Sequence, residues 1–580
     1  MRHIRSQWFA LCSVCVGLVL VGIGCVFFAV KETQAAILAL EKTDFAASVT
    51  HARRAQRIVV PLNFLSFDTL PLVKSWRLIL QVPEKTQQLV SAATALIPSP
   101  EIPEPSLAPL LIPVASLEGT LAQLETTLAQ TPGIQQKYAT QLTQLKKIQE
   151  VLSLARIFLQ QMSTGSATWV VLLQNTDELR ATGGFAGSYA LITIRNGVLE
   201  PPVIEDIYDA DGQFTGYVAA PAGVREYTSS NNGLRLPDAN WYPEFAQSAQ
   251  TMLQFFALGN KRSLSGMAAI NLSVAEDLLR LTGPLYIPDY NVNVTADNLH
   301  QALREERSDF FPGSIQKKHI LSLTLSILQA HLTALPSAEK QLVFTKMLER
   351  LHTKDIQLYA VNPELQAALL AQGLSPALQP GTLTTYLNYQ TDTCATTQCP
   401  HLLFSLIESN VGINKVNRAV ERTVMLTKVD DTQIRGSVTF HNTALAQDTT
   451  LLSAKTPLAA ASRVLTAQNG YANYQRIITS PELTITELTA AGKKIAPTPE
   501  EYTTPSGVPV HSVGFLLPVL PQSEVTLEFT LTLSPAAGSL SDYALFIFKQ
   551  SGLTPALHTL TTPTQNLQFT LSSDAVISLK

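Results

Sequence analysis

Residues Trp8–Val30 (WFALCSVCVGLVLVGIGCVFFAV) run for 23 positions without a charged side chain. As a helix they extend about 34 Å at roughly 1.5 Å per residue, enough to cross a hydrocarbon core of about 30 Å. Arg2 and Arg5 precede the run and no comparable one follows. This predicts a single-pass plasma-membrane anchor over residues 1–31, with the lipid bilayer as first partner and the bulk of the chain outside the cytoplasm. The run is longer than the roughly 7–15 apolar residues of a cleaved signal peptide, which favours an uncleaved anchor. Lys31 and Lys42 balance Arg2 and Arg5, so charge alone leaves the orientation open. Cysteine usage favours the outside. Cys12, Cys15 and Cys25 fall in the run, and only Cys394 and Cys399 remain in the 580-residue chain. Their Thr-rich setting, TDTCATTQCP, lacks the further ligands zinc needs, so a small disulfide is expected.

One span does not account for 46% hydrophobic and 15% charged residues, a composition too apolar for a disordered chain. A net charge of -4 gives no electrostatic footprint for nucleic acid, which is excluded as a partner. The length suggests about three or four units. From Glu32, apolar positions recur three and four apart in AAILALEKTDFAASV, VKSWRLILQV and LEGTLAQLETTLAQ, predicting a helical stalk over 32–163. Prolines 98, 100, 103, 105, 109 and 113 predict an extended linker over 98–113.

At Ala167 the period changes to two. TWVVLLQ and SYALITI read as strands, with NTDELRATGGFAG as a loop between them. Arg195-Asn196-Gly197 reads as a tight turn into a third strand, VLEPPVIEDIYD. Helical segments then alternate with strands, predicting an α/β core over 164–410. From 411 to 580, strands such as RTVMLTKV, QIRGSVTFHN and EVTLEFTLTL recur between Pro, Gly and Asn turns, predicting an Ig-like β-sandwich. The expected fold class is multidomain α+β.

Candidate chemistry lies in the core loops. In NTDELRATGG, Gly183 and Gly184 admit close backbone approach and Arg180 supplies a fork of donors, the parts of an anion site; pairing of Arg180 with Asp177 or Glu178 is the structural alternative. Asp209 and Asp211, alternating along an extended chain, could hold Mg2+, against a plain acidic turn. Arg304 and Arg307 in ALREERSDFF, with Lys317 opening a long helix, could bind phosphate unless Glu305, Glu306 and Asp309 neutralise them. Asn410, Gly412, Asn414, Lys415 and Arg418 in SNVGINKVNR form a last polar set. Histidines are sparse and scattered, giving no support to Ser/His or metal-hydrolase chemistry.

LLQNTDELRATGGFAGSYALITIRNG, DIYDADG, DANWYPEFAQSAQTMLQFF, INLSVAEDLLRLTGPL and ESNVGINKVNRAVERTV together resemble the bacterial envelope family catalogued as domain of unknown function 4012, from about Ala167 through the sandwich. The order of elements around Arg180, INLSVAEDLLRLTGPL and ALREERSDFF is similar to that of LytR-CpsA-Psr proteins. Those are single-span envelope enzymes that transfer glycopolymers from polyprenyl pyrophosphate to the cell wall. The resemblance implies that Arg180, Arg304, Arg307 and Lys317 hold phosphates, and that Asp177, Asp209 or Asp211 serves Mg2+. The Arg-Ser/Thr-Asp motif of that family is absent, with Gly187-Ser188 in its place. The two functional expectations are therefore a binder, and in the stronger form a transferase, of polyprenyl-phosphate glycans, and a non-catalytic surface binding or scaffolding protein.

Overall fold

The computed structural model describes residues 29–39, 44–59, 71–94, 96, 106–130, 139–229, 232–259, 263–300, 315–379, 400–448 and 469–580. The apolar run falls outside these residues except for Ala29 and Val30, and no helix among the described residues is long and apolar enough to cross a membrane. Cys394, Cys399, Arg304 and Arg307 also lie outside them. The chain divides into two units, Met1–Gly165 with Asn196–Val198, and Ser166–Arg195 with Leu199–Lys580.

The first unit is helical: a segment at 29–39, then α1 (Phe45–Val59), α2 (Pro71–Thr94), α3 (Ala108–Ala129) and α4 (Ala139–Met162). Leu110, Val114, Leu117 and Leu121 of α3 pack with Leu152 and Leu159 of α4, the stripe that the three-and-four spacing requires. The expected linker ends earlier than its prolines suggest. Pro109 occupies the first turn of α3 and Pro113 lies inside it. A first-turn proline loses no hydrogen bond, because that N–H has no partner in any helix.

The second unit is mixed α and β. Its first sheet is built from β1 (Ser166–Arg180), β2 (Gly183–Arg195), β3 (Val203–Asp206), β4 (Gly266–Asn271) and β5 (Ile356–Ala360). β1 pairs antiparallel with β2 and parallel with β4; β5 closes the other edge, antiparallel to β4. The Asn196-Gly197 turn has φ of 51° and 81°, the left-handed pair such a hairpin requires. Two expectations change here. The 174–187 segment is strand on both sides, broken only at Ala181-Thr182, with register shifts after Leu173 and between Asn175 and Leu179. The third strand stops at Asp206, whose carboxylate accepts from Tyr208 N at 2.9 Å and caps the short helix α5 (Ile207–Asp211). Asp209 and Asp211 therefore sit on a helix and not on an extended chain.

α6 (Phe245–Gly259) buries Phe245, Ala249, Met252 and Phe256 against β1 and β2, with Phe256 edge-on to Tyr189 at 5.1 Å. α7 (Leu272–Thr282) follows β4 and ends at Gly283, φ 79°, whose N–H returns to Leu279 O at 2.9 Å. α8 (Ile315–Ala334), α9 (Ser337–His352) and, after β5, α10 (Pro363–Ala371) complete this layer.

The C-terminal strands form two facing sheets. One runs β11-β12-β9-β6-β14-β17 and the other Lys493–Lys494-β10-β13-β8-β7-β15-β16. The strands are β6 (His401–Asn410), β7 (Val420–Lys428), β8 (Gln433–Asn442), β9 (Tyr471–Thr479), β10 (Leu483–Ala490), β11 (Thr498–Thr503), β12 (Pro509–Val519), β13 (Ser523–Leu533), β14 (Ala544–Phe548), β15 (Ala556–Thr561), β16 (Asn566–Leu571) and β17 (Ala575–Ser578). Phe404, Phe440, Phe515 and Phe529 fill the space between the sheets. β6, which the sequence places at the end of the core, is a central strand here. Every residue of β9 is buried, because its second face carries Ala472 and Tyr474 into the cluster of Trp241, Phe245 and Val170.

Candidate functional site

In open α/β sheets, ligands settle outside the carboxyl ends of parallel strands. Here that position is the paired end of β1 and β4, where Gln174 lies beside Asn271. The connection from β14 to β15 occupies it. Ser551 Oγ accepts from Asn271 Nδ2 and Gln357 Nε2, both at 3.0 Å, and donates to Lys354 O at 2.6 Å. Gln550 Nε2 donates to Arg180 O at 2.9 Å and Glu408 O at 2.7 Å. Gly552, φ 72°, lies so close that a Cβ there would stand 2.9 Å from Gly183 Cα and Thr176 Cγ2. The paired glycines serve this packing. A Cβ on Gly183, φ 128°, would run into the Asn271 and Gln174 side-chain oxygens, and one on Gly184 into the backbone of Asn175 and Thr176.

Arg180 is 1% exposed. Its guanidinium donates to Asn410 O at 2.9 Å, Leu179 O at 3.2 Å and Glu178 Oε1 at 3.1 Å, lies 3.4 Å from Asp238 Oδ1 and sits over the Phe185 ring at 5.4 Å. Lys415 approaches the other Glu178 oxygen at 3.8 Å. Burial pushes the Asp238 carboxyl up against the opposing pull of Arg180. Pairing with Glu178, one of the two alternatives the sequence leaves for Arg180, is present. The polar set after β6 joins the same cluster: Asn410 Nδ2 donates to Asn417 Oδ1 at 2.8 Å, and Asn417 Oδ1 accepts from Leu179 N at 3.1 Å.

Asp177, adjacent to Glu178 in the sequence, faces a different group. Its Oδ2 meets His300 Nδ1 at 2.8 Å, and His300 Nε2 meets Glu276 Oε1 of α7 at 2.8 Å. Burial alone would lower His300, but the hydrogen bonds to Asp177 and Glu276 hold the imidazolium up to about 9. Arg280 approaches the other oxygen of Glu276 at 3.5 Å. Asp211 accepts from Arg235 Nε at 3.1 Å and from Leu236 N at 2.9 Å, so its carboxylate is engaged by donors. No group of three or more His, Cys, Asp or Glu suited to a metal occurs among the described residues. Lys317 lies in the first turn of α8. The structure thus brings Arg180, Gly183 and Gly184 to one buried seam, gives Asp177 to His300, and gives Asp211 to Arg235.

His300, Glu276, Asp238 and Ser551 carry no local signal in the sequence. Contacts that place them at the site span 24 to 280 positions, as in Glu276–His300 and Asn271–Ser551. Residues 164–307 match the family model described as Protein of unknown function (DUF4012), which spans β1 to β4 and α7 but not the sandwich. No curated protein matches the chain.

Proposed function

We propose that this chain is a membrane-anchored, extracytoplasmic envelope protein whose α/β core and sandwich act as one non-catalytic binding or scaffolding body. The observation that carries this reading is the seam itself: Gln550, Ser551 and Gly552 stand where an α/β sheet would receive a ligand, and Arg180 is committed to Glu178, Asp238 and Asn410 O. The uncharged run at 8–30 and the scarcity of cysteine support its placement.

The polyprenyl-phosphate reading, with a core like that of LytR-CpsA-Psr proteins, draws on a different observation. His300, partly exposed, holds a positive charge between Asp177 and Glu276 and in sequence directly precedes the segment that carries Arg304 and Arg307. Native mass spectrometry of the detergent-purified full chain separates the two readings. The scaffold reading expects no copurified polyprenyl phosphate. A bound polyprenyl phosphate that is lost in His300→Gln would overturn it in favour of the glycolipid reading.

A further inference from the structure

In the first unit, α1 (FAASVTHARRAQRIV) holds Arg53, Arg54 and Arg57 and no acid, so with His51 neutral it carries +3 in a chain whose net charge is -4. Its packed side is made of small residues. Ser48, Val49, Ala52 and Ala55 are buried, and Ala52 and Ala55 share a cluster with Ala29, Ala36 and Leu80. Ala46, Thr50, Arg53, Arg54 and Arg57 are exposed along the opposite side, at the spacing of one helix face. Acids of the neighbouring elements are already engaged: Asp44 accepts from Ala47 N at 3.0 Å, Glu32 meets His51 Nδ1 at 2.7 Å, and Glu84 of α2 accepts from Arg53 at 3.2 Å. Arg54 and Arg57 make no ion pair among the described residues.

Register fixes the height of this stripe. Ser48 Oγ donates to Ala36 O at 2.7 Å and, one turn later in α1 and one turn earlier in the helical segment at 29–39, His51 meets Glu32. The two helices therefore run antiparallel, and one further turn brings Arg54 and Ala55 level with Ala29, in whose cluster Ala55 is found. Ala29 and Val30 are the last two positions of the uncharged run Trp8–Val30. Where that run crosses a bilayer, its end lies among the lipid headgroups, and Arg54 stands at that level with Arg57 less than one turn beyond it. After Arg57 the sequence continues IVVPLNFLSF, ten residues without a charge. Basic residues leading directly into apolar ones suit a water–lipid boundary better than a surface bathed in water alone.

We propose that Arg54 and Arg57 form a binding site for the phosphodiester headgroup of an anionic phospholipid in the leaflet from which the anchor emerges. The guanidinium fork matches phosphate oxygens in pairs, and the phosphodiester supplies the negative charge that α1 lacks. The packing of Ala29 against α1 holds the stripe to the anchor, so the headgroup meets cations already in place. The inference rests on the reading of residues 8–30 as a membrane anchor and not on the scaffolding role.

Native mass spectrometry of the full chain in a neutral detergent, titrated with dioleoylphosphatidylglycerol or dioleoylphosphatidylcholine, tests it. Phosphatidylglycerol is expected to bind more tightly than phosphatidylcholine. Arg54→Gln combined with Arg57→Gln should weaken phosphatidylglycerol about 30-fold, at roughly 5-fold for each cation at an anionic surface, and leave phosphatidylcholine unchanged. Both side chains are exposed, so the double variant keeps the fold. Arg435→Gln, which removes an exposed arginine of β8, should change neither affinity. Equal affinity for the two lipids, undiminished binding in the double variant, an equal loss in Arg435→Gln, or full displacement of the lipid by excess inorganic phosphate would each overturn the proposal. Carbonate extraction of membranes carrying the chain tests the anchor separately, and wild type and double variant should both stay in the pellet. Release of both refutes the anchor, whereas retention of both without a headgroup preference refutes the arginine site alone.

Discussion

Lys354 and Asp574 form an ion pair that fastens the core to the sandwich, and replacing the acid is the sharpest test of the seam. Lys354 is 2% exposed, adopts φ of 65°, donates to Lys549 O at 3.0 Å and stands 3.2 Å from the centre of the Phe548 ring. Asp574 also accepts from Lys549 N at 2.7 Å. Asp574→Asn keeps the shape and that acceptor but removes the countercharge, leaving an ammonium in a dry interior. Stranding a buried charge costs about 3–5 kcal/mol. Burial, opposed by Asp574, brings Lys354 down from 10.5 to about 8. Below pH 8 the folded and unfolded chains both carry the proton, and the native state bears the whole desolvation cost. From pH 8 to 10.5 the unfolded chain keeps a proton that the folded one has released, so stability rises with pH across that window, by about 3 kcal/mol at roughly 1.4 kcal/mol per unit. Without the carboxylate the folded-state value falls further, and the rise should begin below pH 8. Urea unfolding of wild type and variant from pH 6 to 10 reads both effects; groups remote from Asp574 cancel in the comparison, while His352 and Lys549, which also feel its carboxylate, contribute to the difference. A loss under about 1 kcal/mol with an unmoved pH profile would refute the claim that this pair carries buried charge across the seam.

His300→Gln should destabilise by roughly 1–2 kcal/mol at pH 6, a figure reduced for the partial exposure of the ring. Because His300 is raised from 6.5 to about 9, its contribution is complete below pH 6.5 and is lost as pH rises through 9. Unfolding at pH 6 and pH 9.5 checks this, and an equal loss at both values would contradict the imidazolium bridge. Gly552→Val places a β-branched side chain at φ 72° against Gly183 and Thr176. It should cost about 1–3 kcal/mol or more, with the melting temperature falling by several degrees. An unchanged melting temperature would mean that the 549–552 connection does not pack into the β1–β4 end.

Local chemistry made much of the architecture legible. Asn196-Gly197 supplies the two positive φ angles of a hairpin whatever surrounds it, the alternation in RTVMLTKV and QIRGSVTFHN sorts one face inward, and Gly283 stops α7 because a left-handed residue there costs glycine nothing. The 174–187 segment was less legible, since its polar residues suit a solvent loop equally well. The tertiary structure turns them inward: Gln174, Asp177, Glu178, Arg180 and Thr182 are all buried, with Asn410, Lys415 and Gln550 of the sandwich region meeting Arg180 and Glu178, and Gln357 and His300 of the core meeting Thr182 and Asp177.

What the sequence by itself determined is what short-range sterics and periodicity control: the uncharged 23-residue run, the helical first unit, the strand-rich remainder and the turns between them. What only the tertiary structure decided is the state of each charge. Arg180, Lys354, Arg422 and Arg476 look alike along the chain. Whether each is paired depends on residues up to 220 positions away, as in the Lys354–Asp574 pair, because the free energy of a charge is set by the dielectric and the neighbours that folding brings to it.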